Sequence, residues 1–281
     1  MFKSTRKPAV AGLFYPENRE DLTLLIKQID NSVNKNSNTN LWDNQIIGGV
    51  LPHAGYIYSA HHAIPFFHAV SNSAQDIDTV IILNPNHQGI GPDVALDNHD
   101  NWETPLGIAA LDKDFYKILN LPVSAEAHQE EHSAEVMIPL IQYYLGENIR
   151  ILPISIKNQT YDTAKQLGKN LGNATNKLDK RVLIIASSDF SHFESPSEGY
   201  RLDSMVLEKI LKMDAKGVYQ TITNNGISVC GYGPIMALME YAKLQYANYQ
   251  LNILSRGHSG DVSPSSTVVD YISIIFQCRN K

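Results

Sequence analysis

The segment TVIILNPNH (residues 79–87) is an apolar, β-branched run that ends in turn residues and a histidine. A second segment of the same kind, RVLIIA (residues 181–186), leads directly into SSDFSH (residues 187–192). Near-continuous runs of Val, Ile and Leu are typical of strands that are covered on both faces. The two segments therefore predict a buried sheet of parallel strands, with polar residues where the strands end.

Further apolar runs alternate with helical patterns along the rest of the chain. Strands are predicted at residues 46–51, 79–84, 150–156, 181–186 and 271–276. Helices are predicted at residues 19–29, 59–70, 113–119, 131–144, 162–171, 197–213, 218–223 and 233–244. Strands that alternate with helices indicate βαβ units. The Asn-rich segment 31–44 is predicted to be an exposed loop, and no linker rich in Pro or Gly divides the chain. We therefore predict a single three-layer α/β/α domain over residues 1–281, with a central, largely parallel mixed sheet.

The composition of the 281 residues is that of an ordinary globular protein, with 43% hydrophobic and 19% charged residues. The formal charge of -6 argues against a nucleic-acid partner, which usually meets a basic face. No run approaches the roughly 18 apolar residues of a membrane span, and the basic N-terminus lacks an apolar signal region. The two cysteines, without secretory signals, indicate free thiols in a reducing compartment. We expect a cytoplasmic protein without nucleic-acid or membrane partners, and the sequence leaves its oligomeric state open.

Polar side chains follow three of the predicted strands. His53 follows residues 46–51, His87 follows residues 79–84, and Asp189 and His192 follow residues 181–186. Ligands of open α/β sheets bind outside the carboxyl ends of the strands, so these residues predict one shared polar site. The alternatives are ordinary: a loop histidine is often only solvated, and Ser and Asp often cap helices. The next helix starts too late for a cap at residues 187–192.

Cys230 lies in VCGYGP (residues 229–234), just before a predicted helix that opens with Gly and Pro. A thiol at a helix N-terminus is expected to have a lowered pKa, because the helix dipole favours the thiolate that binds metals. The alternative is a small, buried, inert cysteine.

The segment HQEEH (residues 128–132) matches the H-x-x-E-H pattern of some zinc peptidases. A zinc hydrolase is therefore one hypothesis, although five residues are a weak signal. In the alternative, Glu131 and Glu135 favour the first turn of a helix. His128 precedes that predicted helix, so we expect that it is not a metal ligand.

Several motifs in a fixed order resemble the Memo-like family, whose fold is similar to that of class III extradiol ring-cleavage dioxygenases. The matching segments are RKPAVAGLFYP (6–16), PHAGYIYS (52–59), TPLG (104–107), EHSAEV (131–136), SSDFSH (187–192), CG (230–231) and SGDV (259–262). They cover nearly the whole chain. Two departures from the commoner pattern, Asn84 and Ala60, lie beside the expected ligands.

The resemblance implies a metal site. His53, His87 and Cys230 match the metal-binding positions of the family. The related dioxygenases hold non-haem Fe(II) with two histidines and a carboxylate. A divalent metal is expected here, and Fe(II) is the first expectation. Because a thiolate is a softer ligand, copper and zinc are the alternatives.

The resemblance also implies residues around the metal. His192 and Asp189 are expected to be catalytic, with His192 moving protons. Tyr56, His132 and Ser188 are expected to contact the substrate. The predicted function is that of a metal-dependent oxidoreductase acting on a small molecule or a peptide-borne group. The alternative is a non-enzymatic protein that binds a metal or a peptide on the same scaffold.

Overall fold

The computed structural model describes residues 4–33, 45–73 and 75–278. Its strands are β1 Thr5–Arg6, β2 Ile46–Leu51, β3 Thr79–Pro85, β4 Val94–Leu96, β5 Asn101–Thr104, β6 Gly107–Ala110, β7 Arg150–Ile156, β8 Val182–Ser187, β9 His192–Glu194, β10 Tyr249–His258 and β11 Val268–Cys278. Its helices are α1 Arg19–Ser32, α2 Tyr56–Asn72, α3 Asp114–Leu119, α4 Glu126–Gln129, α5 Met137–Leu145, α6 Tyr161–Leu178, α7 Pro196–Leu211, α8 Ala215–Asn225 and α9 Tyr232–Gln245. Most of the predicted loop 31–44 lies outside the described residues.

The central sheet has the strand order β10-β11-β2-β8-β3-β7-β4, and β9 adds a short pairing with β11. The four middle strands, β2, β8, β3 and β7, are parallel to one another. Antiparallel strands flank them on both sides. This arrangement confirms the predicted mixed, largely parallel sheet. A separate small sheet is formed by β1, β5 and β6.

Helices cover both faces of the central sheet. Ile81 and Leu83 of β3 belong to a core shared with α6 and α9, whereas Val80 and Ile82 belong to a core shared with α2 and α5. Successive side chains of a strand point to opposite faces, so one continuous apolar run supplies both cores. The predicted three-layer fold is confirmed. No helix in the described part of the chain is both long enough and apolar enough to cross a membrane.

The predicted helix over residues 131–144 is wrong at its start, because α5 begins only at Met137. The preceding residues form irregular turns in which Glu131 accepts hydrogen bonds from Ser133 and from His87. A second difference is β10, which the sequence did not predict. Its residues are nearly all half-buried, so it lacks the continuous apolar run of the inner strands.

Candidate metal centre

The candidate site lies at the carboxyl ends of three neighbouring parallel strands. His53 follows β2, His87 follows β3, and Asp189 follows β8. The strand order β2-β8-β3 brings the three strand ends side by side. The position therefore follows from the topology, as ligand sites in open α/β sheets do.

Three imidazoles converge at this edge. His53, His87 and His132 each offer a ring nitrogen, and these nitrogens all lie within 4.8 Å of one another. The His87 and His132 rings are stacked with centroids 4.7 Å apart. The His53 ring stands edge-on to both, at centroid distances of 5.3 and 5.4 Å. Three imidazole nitrogens at this separation could hold a transition metal.

Hydrogen bonding fixes which nitrogen of His53 faces the cluster. Its Nδ1 lies 2.8 Å from the Ser187 hydroxyl, and that hydroxyl donates its only proton to the Ser133 carbonyl at 2.6 Å. Nδ1 must therefore carry the proton and donate it to Ser187. Nε2 then keeps its lone pair, the form that binds a metal. Burial, followed by the neighbouring His132 and His87, holds the pKa of His53 well below its usual value.

Glu131 orients His87 in the same way. The His87 amide and ring Nδ1 donate to its two carboxylate oxygens at 2.7 and 2.9 Å. Burial opposes ionisation of Glu131, but hydrogen bonds from His87 and Ser133 outweigh it and lower its pKa to about 2. The ionised carboxylate holds the proton on Nδ1 and leaves Nε2 for a ligand. A carboxylate behind a histidine is the usual support of a metal site.

Cys230 joins the cluster from a different part of the chain, directly before α9. Its Sγ lies 3.2 Å from His53 Nε2 and 3.1 Å from the Asp189 amide, which donates to it. Burial, followed by the charge of Asp189, raises the pKa of the Cys230 thiol well above its usual value. The predicted lowering of this pKa is therefore wrong, because burial outweighs the helix dipole.

Asp189 and Ser188 support the loops that carry the cluster. Asp189 accepts a hydrogen bond from the His53 amide at 2.8 Å, and burial raises its pKa to about 7. The Ser188 hydroxyl accepts from the Gly231 amide at 2.9 Å, beside Cys230. Both residues tie together two of the loops that form the cluster. Catalysis by Asp189 and substrate binding by Ser188 stay predictions.

His192 lies at the rim of the cluster, in β9. Its amide donates to the Ser228 hydroxyl and its Nδ1 donates to the Ser228 carbonyl, both at 2.8 Å. The ring Nε2 therefore carries the lone pair. His192 is near enough to His53 for its charge to contribute to the lowered pKa of His53.

Tyr56 and His128, which the sequence analysis singled out, lie away from the convergent nitrogens. Tyr56 is buried, and its hydroxyl donates to the Val136 carbonyl at 2.7 Å, so its predicted substrate contact stays a prediction that this placement does not favour. His128 is buried too, and its Nε2 donates to the Ala95 carbonyl at 3.1 Å. Because α4 ends at Gln129, His128 and His132 do not share a helix. The geometry therefore does not favour the zinc-peptidase hypothesis.

Sequence reasoning missed the residues that orient the convergent histidines. The helical alternative places Glu131 in the first turn of a helix, whereas its carboxylate accepts a hydrogen bond from His87. Nothing in the sequence indicates the roles of Ser187 and Ser133. The buried Arg6–Glu135 ion pair, 2.6 Å long, was also missed. Arg6 additionally donates to the Glu131 carbonyl, so the N-terminal segment braces the loop that carries His132. The available signal was that residues 6–16 and 131–136 both belong to the matching motifs.

Comparison with known proteins agrees with the motifs. A family model described as Memo-like protein matches residues 6–275. A MEMO1 family protein of Pyrobaculum arsenaticum is 40% identical over 283 residues, which cover 96% of this chain and 98% of that protein. A MEMO1 family protein of Archaeoglobus fulgidus is 38% identical over 275 residues, which cover 97% of this chain and 99% of that protein.

A solved structure shares the fold at much lower identity. An uncharacterised protein of Escherichia coli K12 superposes with a TM-score of 0.54 and 12% identity, covering 82% of this chain and 99% of its own. This likeness concerns the fold alone. The matches to the family model and to the two MEMO1 family proteins, by contrast, extend over nearly the whole chain. The chain therefore belongs to the Memo-like family.

Proposed function

We propose that this protein is a metal-dependent oxidoreductase related to the extradiol dioxygenases, with its centre at the carboxyl edge of the sheet. One observation carries the proposal: three imidazole nitrogens lie within 4.8 Å of one another. The hydrogen bonds of His53 and His87 support it, because both rings are held by Nδ1 and present Nε2. The expected substrate is a small aromatic molecule or an aromatic group carried by a peptide.

The donor set fits a transition metal. Imidazole nitrogens and a thiolate suit iron, copper and zinc, whereas magnesium and calcium prefer oxygen ligands. His53 and His87 are the common members of the set. Cys230 and His132 are the two candidates that complete it, Cys230 at 3.2 Å from His53 Nε2 and His132 stacked on His87. Fe(II) is our first expectation, and copper and zinc are the alternatives.

The surrounding residues have separate tasks. A bound Fe(II) ion would supply the electron transfer to oxygen that the protein side chains cannot. His192, held through Nδ1 by Ser228, would accept a substrate proton at Nε2 and return it later. Glu131 makes His87 a stronger ligand, and Asp189 holds the His53 backbone in place. Phe14, whose ring centroid is 4.8 Å from that of His132, provides an apolar wall.

The test is purification without oxygen, followed by metal analysis and by oxygen uptake with catechol. We expect about one metal ion per chain and oxygen uptake by the Fe(II)-loaded protein. His192→Ala should keep the metal and lose the uptake. The second candidate function, binding without turnover, is favoured by Cys230, which stands where the dioxygenases have a carboxylate. Full metal loading of the wild type without uptake of oxygen would select it and overturn the oxidoreductase.

The compartment is a further part of the proposal. Neither Cys230 nor Cys278 forms a disulfide. Cysteines that form no disulfide are usual in a reducing, cytoplasmic environment. Alkylation of the thiols in intact cells would test this, since an oxidised thiol would not react.

A further inference from the structure

Phe193 has an unusual backbone conformation for an aromatic residue. Its φ angle is 63°, in the left-handed region that β-carbons disfavour. Three other non-glycine residues in the described ranges have positive φ angles: Asn120, Asp179 and Met213. Asn120 and Asp179 cap α3 and α6, and Met213 follows the end of α7, where this conformation is common. Phe193 ends no helix, so its strain has another origin.

The origin is a β-bulge between β9 and β11. Val268 pairs with Glu194, and Val269 pairs with His192, so Phe193 is the extra residue on β9. Bulges of this kind change the direction of a side chain and are frequent beside active sites. Here the bulge lies between His192, at the rim of the metal centre, and the start of α7.

The bulge leaves the Phe193 ring in solvent. Phe193 is 77% exposed, although burial of a phenyl ring would be favourable. Its ring centroid is 6.0 Å from that of His192, at an interplanar angle of 62°. His192 itself is fixed by two hydrogen bonds to Ser228, so the exposed ring has a defined neighbour. Strain and apolar exposure at one residue beside the rim are explained if a ligand covers the ring.

We infer that Phe193 determines specificity by packing against an aromatic ring of the ligand that is bound at the metal centre. The inference rests on the proposed function and adds the residue that selects for a planar, apolar group. Aromatic pairs prefer edge-to-face or offset contacts, which an exposed phenyl ring can adopt without moving the backbone. A chelating ligand without a ring would gain nothing from this contact.

The test compares two metal chelators on the Fe(II)-loaded protein under anaerobic conditions, by titration calorimetry. 4-Nitrocatechol carries an aromatic ring, and acetohydroxamic acid does not. Phe193→Ala should weaken 4-nitrocatechol about ten-fold and leave acetohydroxamic acid unchanged. Phe193→Trp should restore the aromatic affinity. Leu244→Ala, at a side chain 55% exposed on α9, is the matched control and should change neither affinity.

A glycine variant separates the ring from the backbone. Glycine accepts a positive φ angle, so Phe193→Gly should melt at a higher temperature than Phe193→Ala while losing the same aromatic affinity. Equal binding of 4-nitrocatechol by wild type and Phe193→Ala would overturn the inference, and so would an equal loss of both chelators. A wild type that binds neither chelator would overturn the metal centre as well, which distinguishes the two failures.

Discussion

Titratable side chains at the two edges of the central sheet have different surroundings. At the amino edge, where β3, β7 and β8 begin, Lys180 contacts Asp112 and Asp114 at 2.6 and 2.7 Å. Arg181 contacts Asp78 there at 2.7 Å. These contacts favour charge: hydrogen bonds from Arg181 lower the pKa of Asp78 to about 2. At the carboxyl edge, burial instead lowers the pKa of His53 and raises that of Cys230.

The difference indicates that the side chains of the amino edge stabilise the fold, whereas those of the carboxyl edge are suited to chemistry. Oppositely charged side chains pair with one another at the amino edge. At the carboxyl edge, burial lowers the pKa of His53 and of His132, whose ring nitrogens converge. Residues with pKa values displaced towards the neutral form often mark functional sites. Cavity volume alone is a poor guide to the site, because a cavity of about 640 Å³ lies at the amino edge, among Asp78, Arg150 and Lys180. The chemistry of the lining is therefore the better guide.

The largest effect should come from the ion pair that braces the carboxyl edge. Glu135→Gln removes one charge of the fully buried pair with Arg6 and leaves the guanidinium unpaired. We expect a loss of about 3–5 kcal/mol in the free energy of unfolding, measured in denaturant. Glu103→Gln, which breaks the exposed pair with Lys7, is the control. Equal losses in the two variants would show that the brace is unimportant.

A pH-dependent effect is expected behind the loop that carries His192. Burial, followed by the charge of Asp270, raises the pKa of Asp203 to about 7. Between pH 4 and pH 7 the folded protein holds a proton that the unfolded chain has lost, so stability falls as the pH rises. A rise of three pKa units corresponds to about 4 kcal/mol. The Ser191 hydroxyl contacts the carboxylates of Asp203 and Asp270. The same hydroxyl can accept a hydrogen bond from the side-chain amide that Asp203→Asn introduces.

Asp203→Asn should remove this pH dependence. We expect the variant to be more stable than wild type at pH 7.5, by up to about 4 kcal/mol, and equal to it near pH 4. Thermal and chemical unfolding at several pH values would measure the difference. Parallel stability curves for the two proteins would contradict the raised pKa.

Glu131→Gln tests the support of His87. The glutamine side chain accepts hydrogen bonds only at its one oxygen. It therefore cannot accept from both the backbone N–H and the ring Nδ1 of His87, as the two oxygens of the carboxylate do. Loss of such a supporting group should weaken metal affinity about 10- to 100-fold. Glu130→Gln, at the exposed neighbour, is the matched control in the same calorimetric titration. Unchanged affinity in Glu131→Gln would show that His87 is not a ligand.

The smallest effect is expected from a substitution at the amino edge. Asp76→Asn removes a contact with Arg181 in which both side chains are largely exposed. Exposed ion pairs contribute little because water and salt screen them. We expect no measurable change in melting temperature or in metal content. A loss of metal in this variant would erase the distinction between the two edges.

The inner strands could be predicted from the sequence because both of their faces are buried. The bounds of β2 and β7 agree with the prediction, β3 is one residue longer at its end, and β8 is shifted by one residue. His53 and His87 then follow from the rule that sites form at carboxyl strand ends. The edge strand β10 was not predictable in this way, because half-buried residues on both faces leave no apolar pattern.

The support of the site could not be read from local patterns. Arg6 and Glu135 are 129 residues apart in the chain, and no spacing rule relates them. The apolar periodicity of residues 131–144 favours a helix, but it contains no information about the contact of Glu131 with His87. The pKa of Cys230 likewise depends on burial, which the segment 229–234 does not reveal.

The most direct test of the metal centre is the metal affinity of wild type and His53→Ala under anaerobic conditions. The control is His68→Ala, which removes an imidazole that pairs with Asp30 on α1. We predict about one metal ion per chain in wild type and in His68→Ala, and an affinity lowered more than about 100-fold in His53→Ala. A His53→Ala variant that holds metal as tightly as wild type would contradict the account.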